Sequence, residues 1–280
     1  MKKKVAIQGV VGSFHEDAAQ KYFADEEIEV VECRTFRKTC QMVDTDQVDY
    51  AVMAIENAIA GSLLENYSLM RDFHLRIIGE IFLHIRMNLM ALPGVKKEDI
   101  KEIHSHPIAL KQCAEYIASE FGEISLDDNF DTAGAAKNIS KNQIKDAAAI
   151  GNERTANIYG LNILDKGIET NKRNYTRFLI LSKRHQTNEE ANKASVCFEV
   201  GHFHGALAKV LNIFAENEIN LTKIQSVPII GKPEEYSFHV DIEWEDSEKY
   251  EHAIHTVLKN VTSLTIFGEY VRGERKMYDA

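Results

Sequence analysis

The stretch Tyr50-Ala51-Val52-Met53-Ala54-Ile55 is a continuous apolar run that ends at the polar pair Glu56-Asn57. A short run of this kind predicts a strand that is buried on both faces, as in a parallel sheet covered by helices. Strand-like and helix-like segments alternate around it, at residues 5–8, 16–23, 29–33, 36–43, 63–73 and 75–85. This alternation predicts βαβ units on a mostly parallel sheet.

The middle of the chain continues the same alternation. Strands are predicted to end at residues 103–105 and to cover 147–150 and 175–181, and helices are predicted at 107–121, 132–139 and 153–159. We therefore assign residues 1–182 to one α/β domain.

A different order of segments follows the polar stretch at residues 182–193. Strand, helix, strand, strand, helix and strand are predicted at residues 195–200, 206–217, 221–227, 236–244, 248–261 and 264–271. This βαββαβ order is typical of a ferredoxin-like unit. The sequence thus predicts a linker at 183–193 and a second, smaller domain at 194–280.

The 280 residues carry a formal net charge of −10, which argues against nucleic-acid binding and adhesion to an anionic membrane. The basic start, Lys2-Lys3-Lys4, precedes an apolar run that is too short for a secretion signal. No apolar stretch approaches the roughly 20 residues of a membrane span. The cysteines form no Cys-x-x-Cys pair, so we expect reduced thiols in a cytoplasmic protein. They are Cys33, Cys40, Cys113 and Cys197.

The stretch Gly9-Val10-Val11-Gly12-Ser13-Phe14-His15-Glu16 follows the first predicted strand. Its glycines allow a sharp turn, and Ser13 with Glu16 predicts a capping box for the next helix. The free N–H groups of that helix start could hold an anion. The spacing fits neither a Walker loop nor a dinucleotide fingerprint, so an anion site and a plain strand-to-helix turn both remain open.

Polar residues stand on two of the predicted strands. Glu56 and Asn57 follow a buried strand, and ligands of open α/β sheets bind beyond the carboxyl ends of strands; an Asx-turn that merely starts a loop is the alternative. Side-chain alternation places Thr176 and Phe178 on one face of the last strand of the first domain and Arg177 on the other. The first two could form a pocket wall, or could simply be good strand formers.

Two histidines precede the longest predicted helix, at residues 107–121, and Ser105 is the expected N-cap of that helix. His106 could contact a ligand, act as a general acid, or cap the helix. His104 and His106, like His202 and His204, form His-x-His pairs, but no third ligand stands at motif spacing, so we expect no metal.

Taken together and in order, these stretches resemble the motifs of prephenate dehydratases. The matching pieces are Gly9-x-x-Gly12-Ser13-Phe14, Glu56-Asn57-x-x-x-Gly61, Ser105-His106-Pro107-x-Ala109-Leu110-x-Gln112-Cys113, Thr132 with Ala135-Ala136, Ala148-Ala149-Ile150, Tyr159-Gly160-Leu161 and Asn174-x-Thr176-Arg177-Phe178. The resemblance implies a lyase that dehydrates and decarboxylates prephenate to phenylpyruvate in phenylalanine biosynthesis, without cofactor or metal. It also implies two lobes, like those of periplasmic binding proteins, with a crossover near residues 78–82 and a return before residue 175.

The same resemblance implies the roles of the site residues. Thr176 would donate a hydrogen bond to the leaving hydroxyl, and Phe178 would form an apolar wall. Arg177 would either bind the pyruvyl carboxylate or serve as a structural ion-pair residue. The residues expected to bind substrate are Ser13, Glu56, Asn57, Gly61, Ser105, His106 and Thr132. Because prephenate is a dianion, we expect an N–H-lined pocket at the helix starts near Ser13 and Ser105.

The C-terminal unit resembles an ACT domain, an amino-acid-sensing module, which implies feedback inhibition by phenylalanine and a homodimer or homotetramer. The expected effector residues are Gly205, Ala206, Leu207, Asn220, Leu221, Gln225, Ser226 and Pro228. Gln225 and Val227 stand where the family has charged residues, which weakens the expected inhibition by phenylalanine. Elsewhere, Asp131 replaces the usual serine, and Ala54 and Ala58 replace the proline and serine that usually flank the Ile-Glu-Asn motif.

Two other readings remain open. An arogenate dehydratase performs the same chemistry on the aminated substrate, and comparing kcat/KM for both substrates separates the two. A cytosolic, non-catalytic small-molecule sensor would bind without turnover and would not need Thr176.

Overall fold

The computed structural model describes residues 2–186, 188–229, 231 and 234–274. Met1 and residues 275–280, the two ends of the predicted domains, lie outside the described residues, as does Thr187 of the predicted linker. In the described part of the chain, no helix is both long enough and apolar enough to cross a membrane.

The strands are β1 (Lys3–Gln8), β2 (Ile28–Cys33), β3 (Tyr50–Asn57), β4 (Gly61–Ser62), β5 (Arg76–His84), β6 (Asn88–Ala91), β7 (Glu102–Ser105), β8 (Ser125–Asp128), β9 (Ala147–Gly151), β10 (Asn162–Lys166), β11 (Tyr175–Ser182), β12 (Lys193–Glu199), β13 (Asn220–Pro228), β14 (Tyr236–Glu243) and β15 (Ser263–Tyr270). The α-helices are α1 (Phe14–Tyr22), α2 (Phe36–Asp44), α3 (Leu64–Asp72), α4 (Pro107–Gln112), α5 (Ala114–Phe121), α6 (Thr132–Asn142), α7 (Glu153–Tyr159), α8 (Ala206–Glu216) and α9 (Ser247–Leu258). Lys97–Asp99 forms a 3₁₀ turn.

The segments predicted from the sequence are found as helices or strands, with small shifts at their ends. The predicted helix at 107–121 is an exception, because Cys113 has φ −106° and ψ 11° and divides it into α4 and α5. Strands β4, β6, β8 and β10 were not predicted. All four are short. Strand β8 is exposed along its whole length, so neither an apolar run nor alternation marks it, whereas β6 is buried but only four residues long.

The first lobe is a sheet in the order β2-β1-β3-β11-β5, with β4 paired to β3. Strands β1, β2 and β3 are parallel, whereas β11 runs antiparallel to both of its neighbours. In the β3–β11 register, Thr176 pairs with Asn57 and Arg177 with Glu56, and a register shift then pairs Phe178 with Ala54. The insertion of β11 places the last strand of the lobe beside the buried strand that ends at Asn57.

The second lobe is a sheet in the order β10-β6-β9-β7-β8. The sequence predicts that the chain crosses to it near residues 78–82, which is wrong. Those residues lie inside β5, and the chain crosses at residues 85–87 instead. The outgoing and returning segments run side by side, because the Ile85 N–H donates to the Asn174 carbonyl at 2.7 Å and the Ile168 N–H to the Met87 carbonyl at 2.8 Å.

The C-terminal unit is an antiparallel sheet in the order β13-β14-β12-β15, which is the ferredoxin-like order. One face packs on α8 and α9 through an apolar core that includes Phe198 and Phe214. The opposite face approaches the first lobe. There, a Cβ at Gly268 of β15 would lie 1.9 Å from the carbonyl oxygen of Ile77 in β5, so only glycine fits. The predicted fold class, two α/β lobes with a ferredoxin-like unit, is confirmed.

The two faces of the first sheet belong to different cores. Phe178 and Ile180 of β11 face α1 and the second lobe, in a core that extends to Ile103 of β7. Leu179 and Leu181, the alternate residues, face α2, α3 and β15 of the C-terminal unit. Strand β11 therefore has one side toward the space between the lobes and the other toward the C-terminal unit.

Candidate active site

A cleft of about 330 Å³ lies between the two lobes. The first lobe contributes the start of α1 and the ends of β1 and β3, together with β11, and the second contributes the starts of α4 and α6. Its polar lining residues are Gln8, Ser13, His15, Asn57, Ser62, His106, Gln112, Asp131, Thr132 and Thr176. A cavity of this size accommodates a small molecule.

Asn57 and Thr176 form a polar pair at the centre of the cleft. The Asn57 Nδ2 donates to the Thr176 hydroxyl oxygen at 2.9 Å. The orientation of the amide is fixed, because its Oδ1 accepts from the backbone N–H groups of Ile59 at 3.0 Å and Ala60 at 2.8 Å. A backbone N–H can only donate, and an amide nitrogen likewise, so Asn57 cannot take the Thr176 hydrogen. That hydrogen is available to a molecule in the cleft.

Three side-chain amides form a closed ring around this pair. Asn57 donates to the Asn174 Oδ1 at 2.8 Å, Asn174 donates to the Gln112 Oε1 at 2.9 Å, and Gln112 donates back to the Asn57 Oδ1 at 3.2 Å. Gln112 belongs to the second lobe, so the ring fixes Asn57 from both sides of the cleft. Gln112 and Asn174 had no predicted role, although both lie in the matching motifs.

An aromatic wall stands next to Thr176. Phe178 is 1% exposed, and the His15 ring meets it edge-on with 5.1 Å between ring centroids. Phe36 lies 5.4 Å from the His15 ring. Burial, together with the nearby His106, lowers the pKa of His15 to about 3, so its imidazole is neutral at pH 7. His15 was not predicted as a site residue, because its only signal in the sequence was its position in the first turn of α1.

The loop at residues 9–13, which precedes α1, makes hydrogen bonds with the second lobe. Ser13 caps α1, since its Oγ accepts from the Glu16 N–H at 3.4 Å. The Glu16 carboxylate accepts from the Gly12 N–H at 2.6 Å, so the predicted capping box is displaced by one residue. The Gly12 carbonyl accepts from the Asn152 Nδ2 at 2.9 Å and the Thr155 hydroxyl at 2.8 Å. The N-terminus of α7 thereby ties the two lobes together beside the cleft.

The prediction that Ser105 caps the longest helix is wrong. His106 is the N-cap of α4, and its Nδ1 accepts from the Ile108 N–H at 3.2 Å. Ser105 is the last residue of β7, where its buried hydroxyl donates to the Ile150 carbonyl at 2.7 Å, so it does not line the cleft. His106 does line the cleft, and burial lowers the pKa of its imidazole despite the opposing effect of Asp128.

Asp131 and Thr132 line the cleft at the start of α6. Asp131 is the N-cap, and its Oδ1 accepts from the Gly134 N–H at 2.6 Å. Burial raises the pKa of Asp131, and the Glu32 carboxylate adds to this effect, while the backbone N–H groups of Gly134, Ala133 and Val10 oppose it. In the sequence, Asp131 was marked only as a departure from the matching motifs and was not predicted as a site residue.

Arg177 does not face the cleft, which corrects its place among the predicted catalytic residues. Strand alternation turns its side chain toward the C-terminal unit, where it is 5% exposed. Its guanidinium donates to Glu80 at 2.6 Å, to Asp241, and to the Tyr270 hydroxyl at 3.0 Å. Burial alone would lower the pKa of Arg177, but these partners hold it well above its usual value.

Glu56 and Gly61 do not line the cleft either. The Glu56 carboxylate accepts from the Lys223 ammonium of the C-terminal unit at 2.6 Å. Gly61 pairs with Asn57 in the β3–β4 hairpin and has φ +83°, a value that favours glycine. Glu56 points away from the cavity for the same reason as Arg177, because neighbouring residues on a strand point to opposite faces. Gly61 has no side chain with which to contact a ligand.

A second cavity, of about 1030 Å³, lies in the C-terminal unit. The predicted effector residues Gly205, Ala206 and Leu207 line it, with His202, Phe203, His204 and Tyr236 among the others. The remaining predicted effector residues do not line it: Asn220, Leu221, Gln225, Ser226 and Pro228. They lie on β13, whose last residue pairs with Tyr236 at the cavity and whose first pairs with Glu243 at the far end of the sheet.

Comparison with known proteins identifies relatives that cover nearly the whole chain. Residues 5–186 match the sequence profile of the family described as prephenate dehydratase. The chain is 37% identical to arogenate dehydratase/prephenate dehydratase 2 of Arabidopsis thaliana, over 95% of this chain and 72% of that protein. The solved prephenate dehydratase of Arthrobacter aurescens in complex with L-Phe has 27% identity and a TM-score of 0.84, over 96% of this chain and 90% of that one. A structure described as GqqA, a novel type of quorum-quenching acylase, has 28% identity and a TM-score of 0.86, over 96% and 98%.

Proposed function

Because this chain belongs to the prephenate dehydratase family, we propose that its cleft converts prephenate to phenylpyruvate in L-phenylalanine biosynthesis. The observation that carries the proposal is the Asn57–Thr176 pair, which leaves the Thr176 hydrogen available at the centre of a cleft between two lobes. We assign residues 1–182 to the catalytic unit, 183–193 to the linker and 194–280 to the regulatory unit.

The reaction breaks two bonds that join substituents to the cyclohexadiene ring of prephenate. The bond to the ring carboxylate breaks to release CO2, its electron pair enters the ring, and the hydroxyl on the opposite ring carbon departs with its own bonding pair. Thr176 donates a hydrogen bond to that departing oxygen. A threonine hydroxyl is too weak an acid to transfer a full proton easily, so its effect is to stabilise the developing negative charge.

The carboxylate that departs needs a dry environment. A solvated carboxylate resists conversion to neutral CO2, and the aromatic wall formed by Phe178, His15 and Phe36 supports exclusion of water. The neutral His15 imidazole is consistent with this role, because it brings no charge and no hydration shell to the wall.

Uncharged donors are proposed to bind the rest of the substrate. Ser13, His106 and Thr132 line the cleft and are the donors proposed to contact the substrate. Asn57 also lines the cleft, but its amide hydrogens are committed to Asn174 and Thr176, so it acts through Thr176. The other candidates, which are Glu56, Gly61, Ser105 and Arg177, are assigned structural roles.

The C-terminal unit is proposed to bind phenylalanine and thereby inhibit the enzyme. The cavity at Gly205–Leu207 supports this, as does the L-Phe complex of the Arthrobacter relative. Inhibition requires that phenylalanine bind a low-activity arrangement more tightly than a high-activity one. The strands of the C-terminal unit lie directly on β5 and β11, so a shift of this unit reaches the strand that carries Thr176.

A homodimer is proposed because β13 is an edge strand of nine residues with Ile224 48% exposed at its centre. Long exposed edges pair with other strands. Antiparallel pairing of two β13 strands would bring Asn220 of one copy near the Gly205 cavity of the other. Effector residues that lie apart within one chain would then lie close together across the dimer interface. This is the reason to expect a dimer, or a tetramer built from such dimers.

The cysteines Cys33, Cys40, Cys113 and Cys197 are buried free thiols, which supports a cytoplasmic location. Arogenate dehydration remains the second candidate, because the Arabidopsis relative carries both activities in its name.

An assay of phenylpyruvate formation by the purified protein tests the proposed function directly. We expect turnover of prephenate without added metal or cofactor, and inhibition by millimolar phenylalanine. Prephenate recovered unchanged would refute the catalytic proposal. Activity that is unaffected by phenylalanine, with no heat of binding in calorimetry, would refute the regulatory proposal alone.

A further inference from the structure

The cleft has an unusual charge for a site that receives a dianion. Among the described residues that line it there is no lysine or arginine. Its histidines are neutral at pH 7, because burial lowers the pKa of both His15 and His106. Asp131 is the one carboxylate among these lining residues. The protein therefore offers a doubly negative substrate no counter-charge and one negative group.

Asp131 is placed like a binding group rather than like a simple helix cap. It is 7% exposed, and its Oδ1 caps α6. Its buried Oδ2 meets no donor with hydrogen-bond geometry among the described residues, although the Val10 N–H lies close enough to lower the pKa of this carboxyl. A cap requires one oxygen, and serine or asparagine supplies it equally well. No side chain separates the Asp131 carboxylate from the backbone at Gly9, because a Cβ built on Gly9 would lie 3.3 Å from the Asp131 Oδ2. The second oxygen is left for another partner.

The two candidate substrates differ at one functional group. Prephenate has a keto oxygen next to its side-chain carboxylate, whereas arogenate has an α-ammonium at that position. Arogenate thus carries one positive charge that prephenate lacks, and its net charge is smaller. A buried carboxylate repels the first substrate and forms a charge-assisted hydrogen bond with the ammonium of the second.

We propose that Asp131 is a specificity-determining residue that binds the α-ammonium group of the aminated substrate and favours arogenate over prephenate. This inference rests on the proposed dehydratase function of the same cleft. Asp131 contacts the end of the substrate that does not react. Its effect is therefore on which molecule is bound, while Thr176 acts on either one.

The test compares kcat/KM for arogenate and for prephenate in wild type, Asp131→Asn and Asp131→Ser. Both replacements keep an N-cap oxygen for the Gly134 N–H, so α6 remains capped. We expect wild type to favour arogenate, and either variant to lose roughly 10- to 100-fold in kcat/KM for arogenate, the size expected for one buried charged hydrogen bond. Prephenate turnover is expected to hold or increase. Asp146→Asn, an exposed carboxylate of the second lobe, is the control for net charge.

Binding measured without turnover keeps the two proposals separate. In a Thr176→Val background, calorimetry with each intact substrate gives the ratio of affinities, with and without Asp131→Asn. A ratio that falls at least tenfold on removal of the carboxylate supports the inference even if wild type turns over neither substrate, which would refute the dehydratase function. Ratios of both kcat/KM and affinity that stay within about twofold of wild type would overturn the role of Asp131.

Discussion

The two faces of the β3–β11 strand pair differ sharply in chemistry although they share a backbone. On the cleft face, Asn57 and Thr176 meet through a neutral hydrogen bond. On the opposite face, their immediate neighbours Glu56 and Arg177 make ion pairs with the C-terminal unit. Side chains alternate along a strand, so a residue on one face has its immediate neighbour on the other. A displacement of the first residue therefore also moves the second.

This contrast explains why the charged residues Glu56 and Arg177 are not among the residues proposed to contact the substrate. Arg177 is surrounded by Glu80, Asp241 and Tyr270, so its charge is fully committed to holding the sheets together. A charge fixed in this way stabilises an arrangement but offers nothing to a ligand. Thr176 has the opposite property, since Asn57 donates to it and leaves its hydrogen available.

The largest expected effect comes from the cleft face. Thr176→Val removes the hydroxyl while keeping the shape of the side chain, and we expect kcat for the dehydration to fall roughly 10³-fold, within the range of losing one positioned donor. Steady-state kinetics on the purified variant measure it. Thr176→Ser keeps the donor and is expected to retain activity within about tenfold. Equal losses in both variants would show that loss of the hydroxyl does not by itself account for the fall in kcat.

The next effect comes from the opposite face and is one of stability. Arg177→Met leaves the carboxylates of Glu80 and Asp241 buried without their cation. We expect the free energy of unfolding to fall by about 3 kcal/mol or more, the usual result of removing one partner from a buried ion pair. Urea unfolding followed by circular dichroism measures it. A loss below about 1 kcal/mol would mean that Lys193, which lies 2.9 Å from Glu80, compensates for the missing guanidinium.

The same variant has a signature in its acid dependence. Burial alone would raise the pKa of Asp241, but the Arg177 guanidinium outweighs it and holds that pKa below its usual value. The resulting stability is fully present above the unfolded-state pKa of about 4 and is lost as the pH falls toward the folded-state pKa. Wild type should therefore lose stability below about pH 4 more steeply than Arg177→Met. Parallel acid profiles would contradict this assignment.

The third effect returns to the cleft and concerns the direction of one hydrogen bond. Asn57→Asp keeps the size of the side chain, but a carboxylate oxygen replaces the donating Nδ2. The carboxylate accepts the Thr176 hydrogen and takes it away from the substrate. We expect kcat to fall about 10²-fold at pH 7. Because a protonated carboxyl can donate again, activity should recover in part as the pH is lowered toward 5; a loss that is independent of pH would refute this reading.

The sequence predicted the elements of both faces but not how the faces are used. Strand alternation correctly separated Thr176 and Phe178 from Arg177, because this separation depends only on local geometry. The amide ring of Asn57, Gln112 and Asn174 joins residues that are more than 50 positions apart, and no local pattern contains such pairings. The same is true of the buried ion pairs, whose partners lie in another unit.

Small, polar or exposed elements were the other source of error. Strand β8 has no buried residue, so it gives neither an apolar run nor an alternation. The choice between Ser105 and His106 as helix cap depended on which of two adjacent polar residues ends the strand. That choice is made by the Ile150 carbonyl, which holds Ser105 inside the sheet.

The smallest expected effect links the two faces through Lys223. Its ammonium lies 2.6 Å from the Glu56 carboxylate and 3.1 Å from the Ser62 hydroxyl, on both sides of the loop that begins at Asn57. Lys223 belongs to β13, the strand that also carries most of the predicted effector residues. A shift of β13 on effector binding would therefore move the support of Asn57 without touching the cleft itself.

Lys223→Met removes this link but keeps an aliphatic side chain against Tyr67. We expect kcat to fall only about two- to fivefold, because the amide ring still positions Asn57. Phenylalanine should continue to bind in calorimetry, while the maximal inhibition that it causes decreases. The reason is that the variant keeps the effector site but loses the contact that couples it to the cleft. Lys209→Met, on the exposed face of α8, should change neither quantity. If inhibition by phenylalanine stays complete in Lys223→Met, then the coupling between the two faces runs through Arg177 and Asp241 instead, and the Lys223–Glu56 pair serves stability alone.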